Sequence, residues 1–269
     1  MKSLLYIAVI IIATIAGKSA FGAAGGIAGF LISFVFGIFM MRAQIIFFIG
    51  QNKYIKNHQS GIKLMEKAYM SGKLPPRQSL MFAYLVLRDG DVDKAEKLIN
   101  KITYLKKKEL KYESLMTAKI NQALILWKKG DLKQAIEMLE EIYSSGYKTT
   151  VLYGTLGYFY ILDGQISKAL DFNNEAYEYN GTNMIIEDNL ASNCMLAADY
   201  DRAEELYNKL FTQNPEFIEP YYNYALLMKT RGNRQQAAEF FNKALQYPEK
   251  FLSTVTHEQI KKELEALTE

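Results

Sequence analysis

Cysteine and histidine are almost absent from this chain. One cysteine, Cys194, and two histidines, His58 and His257, stand among 269 residues. A single thiol builds neither a disulfide framework nor a cysteine zinc site within the chain. The histidines lie at opposite ends, and no HExxH, CxxC or G-x-S-x-G pattern occurs, so the common metal and nucleophile signatures are missing. The net charge of +3 is too small to imply nucleic acid as a partner. Acidic residues such as Glu137, Glu140 and Glu141 fall at helical spacing, the pattern of a solvated helix face. No enzyme, cofactor, metal or small-molecule substrate is expected on these grounds.

Charge is also missing locally. Between Ser3 and Met41 the only charged residue is Lys18. Residues 4–16 form one apolar run broken by Thr14, and residues 21–41 form a second that holds Gly22, Gly25, Gly26, Gly29 and Gly37. A helix over 21–41 would be ~31 Å long, enough for a hydrocarbon core of ~30 Å. One over 3–17 would be only ~22 Å, short unless the bilayer thins. Lys18 would cost roughly 2.5–3.5 kcal/mol at mid-bilayer and belongs at the turn. The expectation is a transmembrane hairpin in residues 1–50, with spans at about 3–17 and 21–41, the second extending as far as 49. Small residues would let the arms pack closely. A cleaved signal peptide and a buried soluble hairpin are the other readings of the same run. Arg42, Lys53, Lys56, Lys63 and Lys67 follow the second run, which predicts a cytoplasmic location for everything after it. The expected setting is a bacterial cell membrane.

The remainder repeats itself. Gly157, Ala191 and Ala225 are 34 residues apart, as are Gly164, Ala198 and Gly232, and Ala169, Ala203 and Ala237. A fixed period of this length implies stacked copies of one small unit. Within a copy, Tyr221, Tyr224, Ala225 and Met228 recur on one helical face. Arg231-Gly232-Asn233 then breaks the pattern, and Ala237, Phe241 and Ala244 begin another. Two such short helices cannot bury their apolar faces alone, so the copies must stack.

These residues resemble the tetratricopeptide repeat family. The small residue of the first helix is Ala83, Ala123, Gly157, Ala191 and Ala225. The turn glycine is Gly90, Gly130, Gly164 and Gly232, with Ala198 the exception. The small residue of the second helix is Ala95, Ala135, Ala169, Ala203 and Ala237, and Pro215 is the one clear closing proline. Gln122 and Asn173 depart from the pattern, where leucine and a large apolar residue are preferred. The interval from Ala95 to Ala135 is 40. Its six extra residues fall in the basic segment 105–111, read as a longer connection or an extended first helix. The resemblance implies an all-α fold: an α-solenoid of helix pairs in a right-handed superhelix, preceded by two transmembrane helices. Residues 51–75 read as a degenerate leading half-repeat with Gly61, Met65 and Ala68 on its second helix. Residues 76–250 hold five repeats, and 251–269 a C-terminal capping helix. Thr256 and Gln259 have the spacing of a capping box. Cys194 sits where the repeat wants an apolar residue and is expected in the core.

In this family the first helices line a concave groove. The matching positions include Tyr84, Arg88, Asn121, Lys128, Tyr158, Asn189, Ser192, Tyr222, Asn223 and Leu226. The asparagines could bond a peptide backbone and the tyrosines offer contact area, while plain solvation of the groove is the alternative. The carboxylate-clamping lysines and asparagines of some relatives are not reproduced, since Glu219 stands where a clamp would carry lysine. The expected function is a membrane-anchored scaffold that binds a protein or peptide partner. The alternative is a structural subunit of an envelope or secretion assembly, with the glycines of residues 22–29 as its contact.

Overall fold

The structure is a computed structural model that describes residues 2–105, 108 and 110–268. Those residues form helices and turns and no strand. In order they are α1 (Lys2–Lys56), α2 (His58–Met70), α3 (Pro76–Arg88), α4 (Val92–Leu105), α5 (Tyr112–Lys128), α6 (Leu132–Ser144) and α7 (Thr150–Leu162). Then come α8 (Ile166–Asn180), α9 (Met184–Leu196), α10 (Tyr200–Phe211), α11 (Ile218–Thr230), α12 (Arg234–Ala244) and α13 (His257–Thr268). They group into two compact units, Met1–Leu85 and Val86–Glu269.

A local rule builds each helix pair of the second unit. One residue turns the chain by taking a left-handed backbone: Gly90 at φ 96°, Gly130 at 91°, Gly164 at 73° and Gly232 at 81°. The next residue caps the following helix. Asp91 accepts from the Lys94 amide at 3.1 Å, Asp131 from Gln134 at 3.0 Å, Asp199 from Arg202 at 3.3 Å and Asn233 from Gln236 at 3.2 Å. Gln165 makes no such bond. Ala198 occupies the glycine place at φ 63°, which strains an L-residue.

Small side chains decide how near the helices come. Ala95, Ala123, Ala135, Ala169, Ala191, Ala203, Ala225 and Ala237 have no exposed surface. At Gly157 even a methyl group is excluded, because a Cβ there would lie 2.0 Å from Asn173 Oδ1. Asn173 therefore does not leave its copy loosely packed. It is buried and donates to Asn193 Oδ1 at 3.1 Å, and Asn193 donates to the Ile166 carbonyl at 3.1 Å. Glu175 accepts from Tyr143, Tyr153 and Lys148 at 2.6–2.7 Å. Burial opposes its ionisation, but these three bonds outweigh burial and hold the carboxyl at about 2. Cys194 is buried. Helix α5 has 17 residues against 13 in α7, α9 and α11, so part of the extra length is an extended first helix. Residues 106, 107 and 109 of the basic segment lie outside the described residues.

In the first unit α1 is broken at Phe21 and at Gly22, whose φ of 64° and ψ of −155° suit glycine alone. The first arm thus runs on to Ala20, past the expected end at 17. Lys18 lies in its last turn, and the arm is roughly 28 Å long. The two arms are in backbone contact. A Cβ on Gly17 would fall 2.2 Å from the Gly25 carbonyl oxygen, and one on Gly29 2.4 Å from that of Ala13. The outer faces stay apolar and open, with Ile12 65% and Ile32 72% exposed. The segment Ala8–Lys56 is long and apolar enough to cross a membrane. The second arm continues unbroken past Arg42 and pairs with α2, whose Gly61, Met65 and Ala68 are buried. There a Cβ on Gly61 would meet Tyr54 Cα at 2.4 Å.

At the other end, the helix begins only at His257. Thr256 Oγ1 accepts from the Gln259 amide at 3.1 Å and Gln259 Oε1 from the Thr256 amide at 2.8 Å, a reciprocal cap. The amphipathic helix read from sequence spans residues 256–268, and residues 251–255 of the C-terminal segment 251–269 are turn and bend.

The strained turn gives a direct test. Ala198→Gly should stabilise the chain by about 1 kcal/mol, the left-handed penalty less the flexibility glycine adds. In thermal denaturation that is a rise of about 2–4 °C. No rise would mean that the turn stores no strain.

Candidate partner groove

Helices α5, α7, α9 and α11 are the first helices of successive pairs. Asp188 of α9 acts electrostatically with Tyr158 and Glu219, and three side chains converge on one place: Lys128 of α5, Tyr158 of α7 and Glu219 of α11. What they converge on is the chain itself, residues 251–255 of the connection between α12 and α13. Lys128 Nζ lies 5.0 Å from the centre of the Phe251 ring and 4.0 Å from that of Trp127. Glu219 Oε1 accepts from the Thr254 amide at 2.9 Å and faces its hydroxyl at 3.4 Å. The Tyr158 hydroxyl meets the Thr254 side chain. Three first helices, α5, α7 and α11, thus reach one segment of the chain.

The electrostatics of this place are unusual. Asp188 is buried. Burial first, and then the negative charge of Glu219, lift its carboxyl to about 8, against the pull of hydrogen bonds from Asn223 and Tyr207. The Tyr207 hydroxyl is buried among Asp188, Ser192 and Asn223 without a hydrogen bond of good geometry. Burial lowers the Lys128 ammonium, which Glu219 partly restores. Burial also holds the Tyr158 hydroxyl far above its ordinary value.

The residues named from sequence divide into four groups. Lys128, Tyr158, Ser192 and Asn223 belong to this cluster. Asn189 does not face a partner. It is 3% exposed and donates to the Gly154 carbonyl at 2.8 Å, stapling α9 to α7. Asn223 is likewise engaged, donating to Asp188 Oδ1 at 3.3 Å. Asn121 is buried. Tyr222 lies on the Phe241 ring at 5.7 Å with Glu263 of α13 nearby, and Leu226 packs on the same core. Those two serve the stacking of the last helices. Arg88 is half-buried at the end of α3, and Tyr84 is half-buried in the first unit.

Asp188 and the seated segment were not read from sequence as parts of a site. An acidic pair on an otherwise apolar stretch, Glu187 and Asp188 in α9, was the visible signal. Glu219 was noticed only as a departure from a lysine clamp, and its carboxylate is what grips Thr254.

Residues 117–145 and 218–251 match a family model described as tetratricopeptide repeat. No curated protein matches the chain. A tetratricopeptide repeat protein from Parabacteroides merdae superposes with a TM-score of 0.64 at 14% identity, over 95% of this chain and 98% of that one. A thermophilic protein of the same repeat from Thermus thermophilus gives 0.56 at 16% identity, over 72% and 98%. The fold is a tetratricopeptide-like solenoid. Proteins built from tetratricopeptide repeats are generally interaction scaffolds and are typically not enzymes.

Two outcomes follow for this site. Asp188 binds its proton more tightly in the folded chain than in the unfolded one. Its contribution to stability is therefore greatest below pH 4 and falls as pH rises to about 8. Asp188→Asn should flatten that part of a stability–pH curve measured by urea denaturation, and an unchanged slope would assign it to other groups. Asn189→Ala should cost about 1 kcal/mol, because it removes a buried hydrogen bond between α9 and α7 while the Gly154 carbonyl keeps its partner within α7. A melting temperature equal to that of the unaltered chain would mean that the staple is dispensable.

Proposed function

We propose that this chain is a membrane-anchored, cytoplasm-facing scaffold that holds a protein or peptide partner on the hollow face of its repeats. The observation that carries the binding half is the convergence of Lys128, Tyr158 and Glu219, from the first helices of three pairs, on one segment of the chain. A surface that grips a backbone amide through a carboxylate and an aromatic ring through an ammonium has the chemistry of peptide recognition. The anchoring half is supported by the exposed apolar faces of the α1 arms. The second arm is one continuous helix with the first helix of the leading pair, which leaves little slack between an anchor and that pair. Basic residues after the second arm favour the cytoplasmic side.

The alternative, a structural subunit that contacts other membrane proteins through Gly25 and Gly29, is less favoured. Those glycines are already in contact with Gly17 and Ala13 of the chain's own first arm.

Orientation and groove are separately testable. A reporter fused after Glu269 should be active only in the cytoplasm, and degradation of the repeats by protease outside intact cells would reverse the orientation. A photoreactive side chain at Arg88 should cross-link one partner in cells, and Tyr158→Ala should reduce that adduct at least tenfold. An adduct indifferent to Tyr158 would move binding off this face.

A further inference from the structure

The connection between α12 and α13 is too long for its task. Residues 145–149, 181–183 and 212–217 join one pair to the next in three to six residues, whereas 245–256 takes twelve. The usual connection in a folded domain has about 4–6 residues. Its two ends are pinned together. His257 Nε2 lies 2.9 Å from the Tyr247 carbonyl oxygen, and the His257 amide donates to Glu249 Oε2 at 2.9 Å. Tyr247 at the root stacks on Tyr221 with ring centres 4.9 Å apart. Between these pins the chain leaves the end of the stack and crosses the first helices. It reaches Phe251, whose ring would be 3.4 Å from a Cβ on Gly90.

The contacts of this crossing are those of a bound peptide. A small turn, the Ser253 amide to the Lys250 carbonyl at 2.8 Å and the Lys250 amide to Ser253 Oγ at 3.2 Å, holds Phe251 outward. Phe251 then sits between the bare backbone of Gly90 and the Lys128 ammonium. Three residues on, the Thr254 backbone is gripped by Glu219, and Val255 is buried in the core of the last helices. A direct link from α12 to α13 would need none of these groove contacts.

We propose that residues 247–256 are an internal ligand of the hollow face. The external partner it stands in for is a short peptide that turns as this segment does and carries an aromatic side chain three residues before a serine or threonine. That peptide binds by displacing the segment. The proposal rests on the groove reading above, and adds the chemistry of the partner and the device that guards its site.

The test uses the full chain in detergent micelles and a fluorescent synthetic peptide of residues 247–256. The unaltered chain should bind it at least tenfold more weakly than a Phe251→Ala/Thr254→Ala variant does. Adding Lys128→Ala and Glu219→Ala to that variant should abolish the gain. Equal binding to both chains, no binding to the loosened variant, or a gain that survives the groove changes would each overturn the proposal. Those results would leave the partner cross-link at Arg88 to be judged on its own. Hydrogen exchange needs no loosened variant. The Thr254 amide should be protected in the unaltered chain and exchange at least tenfold faster in Glu219→Gln, with α11 amides unchanged. A Thr254 amide that exchanges at the free rate in the unaltered chain would show the segment unseated and overturn the proposal.

Discussion

Backbone must come close to backbone in this molecule, and positions with little or no side chain make that possible. The constraint acts in three settings. In the repeats, alanines without exposed surface set the separation of paired helices. In the leading pair, Gly61 lies against the Tyr54 backbone, and in the apolar hairpin Gly17 lies against Gly25. The driving force differs between settings. In water, burial of apolar faces brings helices together and the small residue only sets the distance. A pair of arms placed in lipid, as proposed here, would lack that drive, and close packing itself would have to hold them.

This is why so much of the fold was readable. A size limit acts at one fixed place per helix, so it repeats in the sequence at the period of the unit. Turn glycines and their caps are equally legible, since a left-handed φ and a side chain bonding an amide three residues on are local demands. The hairpin break was harder. Several glycines in one run can each take the turn, and only packing selects Gly22, which lengthens the first arm beyond its expected end. The site was harder still. Asn189 has the right position for a groove residue, yet its amide is consumed by Gly154 on another helix. Glu219 is 35 residues from Thr254, and Gly90 is farther still from Phe251. No local pattern announces such pairings.

Polar groups buried between helices serve a different end from the alanines. The Asn173–Asn193–Ile166 chain spends two amides inside the contact between two copies. A stack of near-identical units could slip by one copy or pair wrongly, because apolar faces are alike. Their donating N–H groups find these acceptors only in this arrangement, and others are penalised, since an unpaired buried polar group costs about 1–3 kcal/mol. Gly157 belongs to the same arrangement, because any side chain there would displace Asn173. Departures from the repeat pattern are in this way informative: they mark where one copy is told apart from its neighbours.

The proposed occupant of the repeat face would set terms for any partner. A segment tethered at both ends acts at an effective concentration in the millimolar range. A free peptide at micromolar concentration therefore competes at a disadvantage of about a thousandfold, or about 4 kcal/mol. It must make contacts the internal segment lacks, or bind where that segment has been loosened. Non-specific peptides fail both conditions, even though the surface has the general chemistry to hold a peptide. Selectivity then comes from what the partner must displace as much as from what it touches. An open groove with the same side chains would bind more and discriminate less.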